Sequence, residues 1–240
     1  MLFRVKICGV TTPADAALAA AAGADAIGLN FVAGSPRRLE PEEARSVAAA
    51  VPEGVLTVGV FAGTAAAEIR RIAAAVGLDA VQLHGHLSGE GPAADPPERC
   101  AALGGLAVIR AVRMEADAPG RDPLAAARAW LAAAAALGPP PAFVIVDAAV
   151  PRGTPAGHLG GTGATVDWAA LSAAAPLGLP VALAGGLTPE NVAAAIHASM
   201  AAAVDTASGV EAAPGRKDPG KLRAFVTAAR EAFSATAKHH

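Results

Sequence analysis

Cys8 and Lys6 stand two residues apart in the run Val5-Lys6-Ile7-Cys8-Gly9-Val10-Thr11. Side chains of a strand alternate between faces, so the thiol and the ammonium share one face while Val5 and Ile7 share the other. An ammonium beside a thiol favours the thiolate, the form that acts as base or nucleophile. Gly9 stops the strand and a helix start follows, which leaves the thiol at the strand's carboxyl end. In parallel α/β proteins that end carries the chemistry.

Other polar residues fall at the same kind of position. Asn30, His84, Asp147 and Asp205 each close a short apolar run. Each alone has an ordinary explanation: Cys8 as a small buried hydrophobe, His84 as a hydrogen-bonded structural histidine, Asp147 as a strand cap. Yet an aspartate after Phe143-Val144-Ile145-Val146 is costly to bury without a partner or a role. Glycines form a second group, in Leu183-Ala184-Gly185-Gly186-Leu187-Thr188-Pro189 and Ser208-Gly209-Val210-Glu211. Glycine serves tight turns anywhere, but after the last two strands of a barrel such loops form a phosphate site. Gly160-Gly161-Thr162-Gly163 lacks the spacing and the lysine of a nucleotide loop. Ser35-Pro36-Arg37-Arg38 offers an arginine fork for a carboxylate. One arginine is expected to face the mouth and its neighbour to point elsewhere.

The elements that position these residues alternate regularly. Strands are predicted at Phe3–Cys8, Ala26–Phe31, Leu56–Phe61, Ala80–His84, Leu106–Ala111, Phe143–Asp147, Pro180–Ala184 and Ala203–Thr206. Helices are predicted at Pro13–Ala22, Pro41–Ala50, Ala65–Val76, Pro97–Leu103, Pro123–Leu137, Trp168–Ala175, Pro189–Met200 and Pro219–Ala235. Thr12-Pro13, Glu40-Pro41, Asp122-Pro123, Thr188-Pro189 and Asp218-Pro219 mark helix starts, with proline where its missing N–H costs nothing. Eight βα units in order predict a closed (β/α)8 barrel. Residues 1–238 form one barrel domain in this reading, with Gly89–Pro97 and Pro151–Thr165 as loops. His239-His240 reads as the remnant of a purification tag.

The chain has 240 residues, 53% hydrophobic and 17% charged, with net charge −2 and two cysteines. This predicts a folded core and argues against disorder, a disulfide scaffold or a basic nucleic-acid surface. No leader or spanning segment is read, so a cytoplasmic protein is expected, with no membrane or nucleic-acid partner.

In order along the chain, Lys6-Ile7-Cys8-Gly9, Gly23-Ala24-Asp25-Ala26, Ser35-Pro36-Arg37, Val58-Gly59-Val60-Phe61 and Val81-Gln82-Leu83-His84-Gly85 resemble the phosphoribosylanthranilate isomerase family. Asp147, Gly160-Gly161-Thr162-Gly163, Asp167-Trp168, Ala184-Gly185-Gly186-Leu187 and Pro189-Glu190-Asn191-Val192 continue the resemblance, as do Ser208-Gly209-Val210-Glu211 and Pro214-Gly215-Arg216-Lys217-Asp218. The resemblance implies a TIM-barrel isomerase of tryptophan biosynthesis. Its reaction is the Amadori rearrangement of N-(5-phosphoribosyl)anthranilate to 1-(2-carboxyphenylamino)-1-deoxyribulose 5-phosphate. It implies Asp147 as general acid, Cys8 as general base and Arg37 as the grip on the anthranilate carboxylate. Phosphate falls to Gly185, Gly186, Ser208 and Gly209, with His84 and Asp205 as further substrate contacts. No cofactor and no metal are implied, and a monomer or weak homodimer is expected. A free thiol titrates near about 8.5, so a base at neutral pH needs help, for which Lys6 is the candidate.

The chain departs from the family at Asn30, usually apolar, at Ala207, usually a small hydroxyl residue, and at Val166, usually aromatic. Pro151–His158 is longer than usual. These touch affinity and loop closure more than reaction type. A histidine-pathway aldose–ketose isomerase would place an aspartate where Cys8 stands. Indole-glycerol-phosphate synthase would need a lysine and glutamate set absent in matching context. A non-catalytic phosphosugar-binding barrel would have lost the acid or the base.

Overall fold

A computed structural model describes residues 3–87, 93–114, 122–147 and 167–237. Eight parallel strands close into a barrel in sequence order: β1 (Val5–Cys8), β2 (Ala26–Asn30), β3 (Leu56–Phe61), β4 (Ala80–Leu83), β5 (Ala107–Arg113), β6 (Phe143–Asp147), β7 (Val181–Leu183) and β8 (Ala203–Thr206). The helices between and after them are α1 (Pro13–Ala21), α2 (Pro41–Ala48), α3 (Ala66–Val76), α4 (Pro97–Ala102), α5 (Ala125–Leu137), α6 (Trp168–Ala173), α7 (Val192–Ser199) and α8 (Pro219–Ala237).

Local chemistry sets these boundaries. Thr12 accepts from the Asp15 amide ahead of Pro13, and Asp218 accepts from the Lys221 amide ahead of α8. Glu40 and Glu43 form a capping box at α2. Thr188 does not cap α7 as expected. Asn191 accepts from the Thr188 amide instead, and the helix begins at Val192.

Strand alternation divides the core in two. Outward residues such as Ile7, Ile27, Leu29, Val144 and Val204 pack against the helices. Inward residues fill the barrel, where Phe3 and Phe143 stack at 4.9 Å among Ala26, Val58, Ala80, Ile109, Ile145, Ala182 and Ala203. Above this apolar plug the same inward positions turn polar, as Lys6, Cys8, Asn30, Gln82, Arg113, Asp147 and Asp205.

The structure differs from the predicted elements in two places that matter. Strand β5 runs two residues past Ala111, which sets Arg113 in register with Asp147. A short hairpin, β9 (Glu211–Ala213) with β10 (Arg216–Lys217), stands between β8 and α8, where no strand was expected. The Gly160–Gly163 loop, the Pro151–His158 segment and Val166 lie outside the described residues. Among the described residues, no helix is long and apolar enough to cross a membrane.

Candidate active site

Closure of the barrel pairs β1 with β8, and that register sets Lys6 opposite Asp205. Lys6 is fully buried, and its Nζ lies 3.0 Å from Asp205 Oδ1. Burial alone would lower the Lys6 ammonium, but Asp205 and the neighbouring thiol outweigh it and hold it charged. Cys8 sits opposite Gly28 on β2. A Cβ on Gly28 would lie 2.7 Å from Cys8 Sγ and 3.1 Å from Lys6 Nζ. Thiol and ammonium thus occupy the space that a side chain on β2 would fill.

The expected help for the thiolate is present, but it is not the larger effect. Burial pushes the Cys8 thiol up. Lys6 and Lys217 pull it down, Asp205 adds to the rise, and the net direction is upward. Cys8 therefore rests as a thiol near neutral pH.

Arg37 faces the mouth, and Arg38 points to solvent, where it pairs with the exposed Glu40. The Asn30 side chain accepts from the Val32 amide at 2.8 Å and donates to Ser35 Oγ at 3.2 Å. Ser35 Oγ in turn accepts from the Arg37 amide at 3.2 Å. Asn30 therefore shapes the loop that carries Arg37. The stem of Arg37 crosses Gly9, whose φ of +66° and lack of a side chain both suit glycine there.

Glu211, not singled out by the sequence reading, holds the Arg37 guanidinium side-on. Nε donates to Oε1 at 2.8 Å and Nη2 donates to Oε2 at 2.7 Å. Lys217 Nζ donates to the same carboxylate at 2.9 Å, to the Cys8 carbonyl at 2.7 Å and to the Ala207 carbonyl at 3.0 Å. Burial would raise the Glu211 carboxyl, but Arg37 and Lys217 outweigh it and hold it below the usual range. The β9–β10 hairpin thus straps the seam between β1 and β8. The side-on edge of Arg37 is filled from within the protein by Glu211.

His84 and Asp147 stand at the ends of β4 and β6. His84 Nε2 lies 3.6 Å from Asp147 Oδ2, and His84 Nδ1 lies 3.1 Å from Gln82 Nε2. Arg113, another residue the sequence reading missed, is in register beside Asp147. Burial lowers the Arg113 guanidinium against the pull of Asp147. A buried network outside the barrel pins the backbone around His84. Arg110 donates to the Leu83 and Gly85 carbonyls at 2.9 and 2.7 Å, and Asp95 accepts from the Gly85 amide at 2.6 Å. Burial lowers Arg110 to about 10 despite Asp95 nearby, and its guanidinium lies over the Trp130 ring.

Gly185 and Gly186 follow β7 with φ of 85° and 62°. Asn191 donates to the Gly186 carbonyl at 2.9 Å, which ties this loop to the start of α7. Ser208 and Gly209 follow β8 in a single 3-10 turn. Gly209 packs so closely on the Leu187 carbonyl that a side chain would collide. The two glycine loops therefore meet backbone to backbone at one edge of the mouth. The structure brings Cys8, Arg37, His84, Asp147, Asp205 and these loops to the same end of the barrel. Among the described residues no histidine, cysteine and carboxylate cluster has the grouping to hold a metal ion.

A family model described as N-(5'phosphoribosyl)anthranilate (PRA) isomerase matches residues 5–228. A Geobacter metallireducens protein named N-(5'-phosphoribosyl)anthranilate isomerase is 41% identical over 229 residues, covering 95% of this chain and all of the relative. The Thermotoga maritima phosphoribosyl anthranilate isomerase structure aligns with a TM-score of 0.78 and 33% identity, over 95% of this chain and 99% of that one. Another isomerase structure, 31% identical with a TM-score of 0.75 over 95% and 99% of the two chains, holds reduced 1-(o-carboxyphenylamino)-1-deoxyribulose 5-phosphate.

Proposed function

This chain belongs to the N-(5'-phosphoribosyl)anthranilate isomerase family, and from that premise we propose how the mouth of its barrel carries out the family's rearrangement. It is an isomerase of tryptophan biosynthesis that converts N-(5-phosphoribosyl)anthranilate to 1-(2-carboxyphenylamino)-1-deoxyribulose 5-phosphate. Asp147 gives a proton to the ribose ring oxygen, the bond from that oxygen to C1 breaks, and a cationic Schiff base forms. Cys8, once deprotonated to its thiolate, takes the proton from C2, and the resulting enolamine tautomerises to the ketone. The observation that carries this reading is the placement of a thiol and a carboxylate on separate strands of one mouth, β1 and β6, which lets them work on different sides of one sugar. General acid and base must reach different atoms of the substrate, as this arrangement allows.

Lys6 stabilises the thiolate when it forms, and Asp205 keeps Lys6 charged and aimed. The Nη1–Nη2 edge of Arg37 takes the anthranilate carboxylate, a geometry suited to paired N–H donors. Glu211 holds that edge in place. The loops at Gly185, Gly186, Ser208 and Gly209 offer backbone N–H groups to the phosphate, which balances the carboxylate grip at the other end of the substrate. We place the enzyme in the cytoplasm, working without a cofactor on a small-molecule substrate alone, as a monomer or weak homodimer. Light scattering of the purified chain tests the last point.

The activity is tested by incubating the chain with N-(5-phosphoribosyl)anthranilate and following the loss of its anthranilate-type fluorescence. Turnover by the wild-type chain, with little in Cys8→Ser, is the expected result. Absence of turnover in a folded wild-type chain that binds a reduced product analogue would favour a binding protein instead.

A further inference from the structure

Among the described residues, the mechanism above leaves one fully buried polar side chain inside the barrel unused. Gln82 is 1% exposed and stands between Ala80 and His84 on the inner face of β4. Its Nε2 lies 3.1 Å from His84 Nδ1, and its Oε1 has no hydrogen-bond partner among the described residues. The far ring nitrogen, His84 Nε2, is buried and also lacks a partner within hydrogen-bond distance there. It faces Asp147 Oδ2 at 3.6 Å. Arg110 and Asp95 fix the backbone on both sides of His84. The remaining freedom of this histidine is where its ring proton sits.

An amide nitrogen donates and does not accept. With Gln82 Nε2 toward the ring, Nδ1 must offer its lone pair. The ring is then neutral and its proton sits on Nε2, directed at Asp147. The hydrogen bond made by one ring nitrogen sets which nitrogen carries the proton. The opposite tautomer would turn a lone pair toward the Asp147 carboxylate, and two acceptors would face each other.

We infer that Gln82 is a positioning residue for the isomerisation, holding His84 as the Nε2–H tautomer so that its N–H supports the Asp147 carboxylate left after proton donation. The inference rests on the reading of Asp147 as the acid. The proton balance is simple: Asp147 loses its proton to the sugar ring oxygen, and the new carboxylate accepts a hydrogen bond from His84. His84 transfers nothing and stays neutral throughout. A preset donor aimed at charge that develops during reaction needs no rearrangement at that moment.

The test uses the full chain labelled with ¹⁵N in histidine, with ring-nitrogen NMR signals read for the wild type, Gln82→Met and Gln82→Glu. His84 is picked out among the six histidines of the chain by the signal lost in His84→Phe. The wild type should show Nε2–H. Gln82→Met keeps the length but makes no hydrogen bond, and it should mix the two tautomers. Gln82→Glu brings an acceptor and should draw the proton to Nδ1. In both variants kcat should fall by roughly 10- to 100-fold while KM stays within about threefold, because the anchoring groups lie elsewhere. A structural glutamine would move thermal unfolding and leave the tautomer alone.

An Nδ1–H ring in the wild type, or wild-type kcat in Gln82→Met, would overturn the inference. Should Gln82→Met not fold, the wild-type tautomer and Gln82→Glu still decide it. Normal turnover in Asp147→Asn would mark failure of the acid reading itself. Slow turnover in Asp147→Asn beside normal turnover in Gln82→Met would mark failure of this inference alone.

Discussion

On the β1–β8 side of the mouth, Lys6, Asp205, Arg37, Glu211 and Lys217 meet through contacts of 2.7–3.0 Å. On the β4–β6 side, Gln82, His84 and Asp147 meet at 3.1 and 3.6 Å, and Gln82 Oε1 and His84 Nε2 have no hydrogen-bond partner among the described residues. The first side satisfies its charges internally, so it holds the barrel seam as well as the base. On the second side those two atoms of Gln82 and His84 keep hydrogen-bonding capacity in hand. Breaking the first side should therefore cost stability and activity together. Breaking the second should cost activity and leave stability nearly unchanged.

Cys8→Ser is expected to give the largest loss on the β1 side without harm to the fold. Serine has almost the same shape, but its hydroxyl is a far weaker acid, so turnover should fall about 10²–10⁴-fold. Steady-state kinetics beside a thermal melt checks both halves. Retained turnover at neutral pH would remove the base assignment. In the wild type the raised thiol has a further consequence. The thiolate fraction should keep growing with pH past the ordinary thiol value of 9.0, read as ultraviolet thiolate absorbance lost in Cys8→Ser.

Lys6→Met comes next. It leaves Asp205 buried without its cation, and such a loss typically costs about 3–5 kcal/mol. Urea unfolding should show that loss, and the rise of thiolate absorbance should move to higher pH because the thiolate has lost its neighbour. A stable variant with an unmoved rise would show that the pair supports neither the seam nor the base.

Glu211→Gln should act on Arg37. KM should rise by roughly an order of magnitude, the scale of one charge-assisted contact, with a smaller change in kcat. Its stability has a predictable pH dependence as well. The folded carboxyl titrates below its ordinary 4.5, so its contribution is present above that pH and fades as pH falls through the folded value. Acid unfolding of Glu211→Gln should be less steep than that of the wild type in this window.

Arg38→Ala should do least. Its pair with Glu40 is exposed, and such pairs contribute about 0–1 kcal/mol. KM and thermal stability close to wild type are expected. A KM effect larger than that of Arg37→Ala would reverse the assignment of the two arginines.

The sequence showed part of each side, for physical reasons. Alternation along β1 put Lys6 and Cys8 on one face, and the βα rhythm placed Asp147 and Asp205 at strand ends. The Lys6–Asp205 pair itself spans 199 residues and follows only from barrel closure. Glu211 and Lys217 fall inside family-like segments, but strands of three and two residues carry too little pattern to reveal a hairpin. Arg113 was hidden because the predicted strand stopped at Ala111. Continued alternation through Ile109, Ala111 and Arg113 was the available signal. Gln82 had the same kind of signal, a polar residue two before His84 on an inward face. Its hydrogen bond to His84 within the same strand needed coordinates to be seen.

The measurement closest to the central claim is Asp147→Asn, assayed for turnover by fluorescence, for binding of a reduced product analogue by calorimetry and for stability by thermal melt. The substitution keeps size and polarity and removes the titratable proton. Turnover should fall about 10²–10⁴-fold, while the melt and the analogue affinity stay near wild type, because the carboxylate and phosphate anchors lie on other strands. Normal turnover in a stable Asp147→Asn chain would contradict the account, as would a loss of turnover that merely follows lost stability and lost binding.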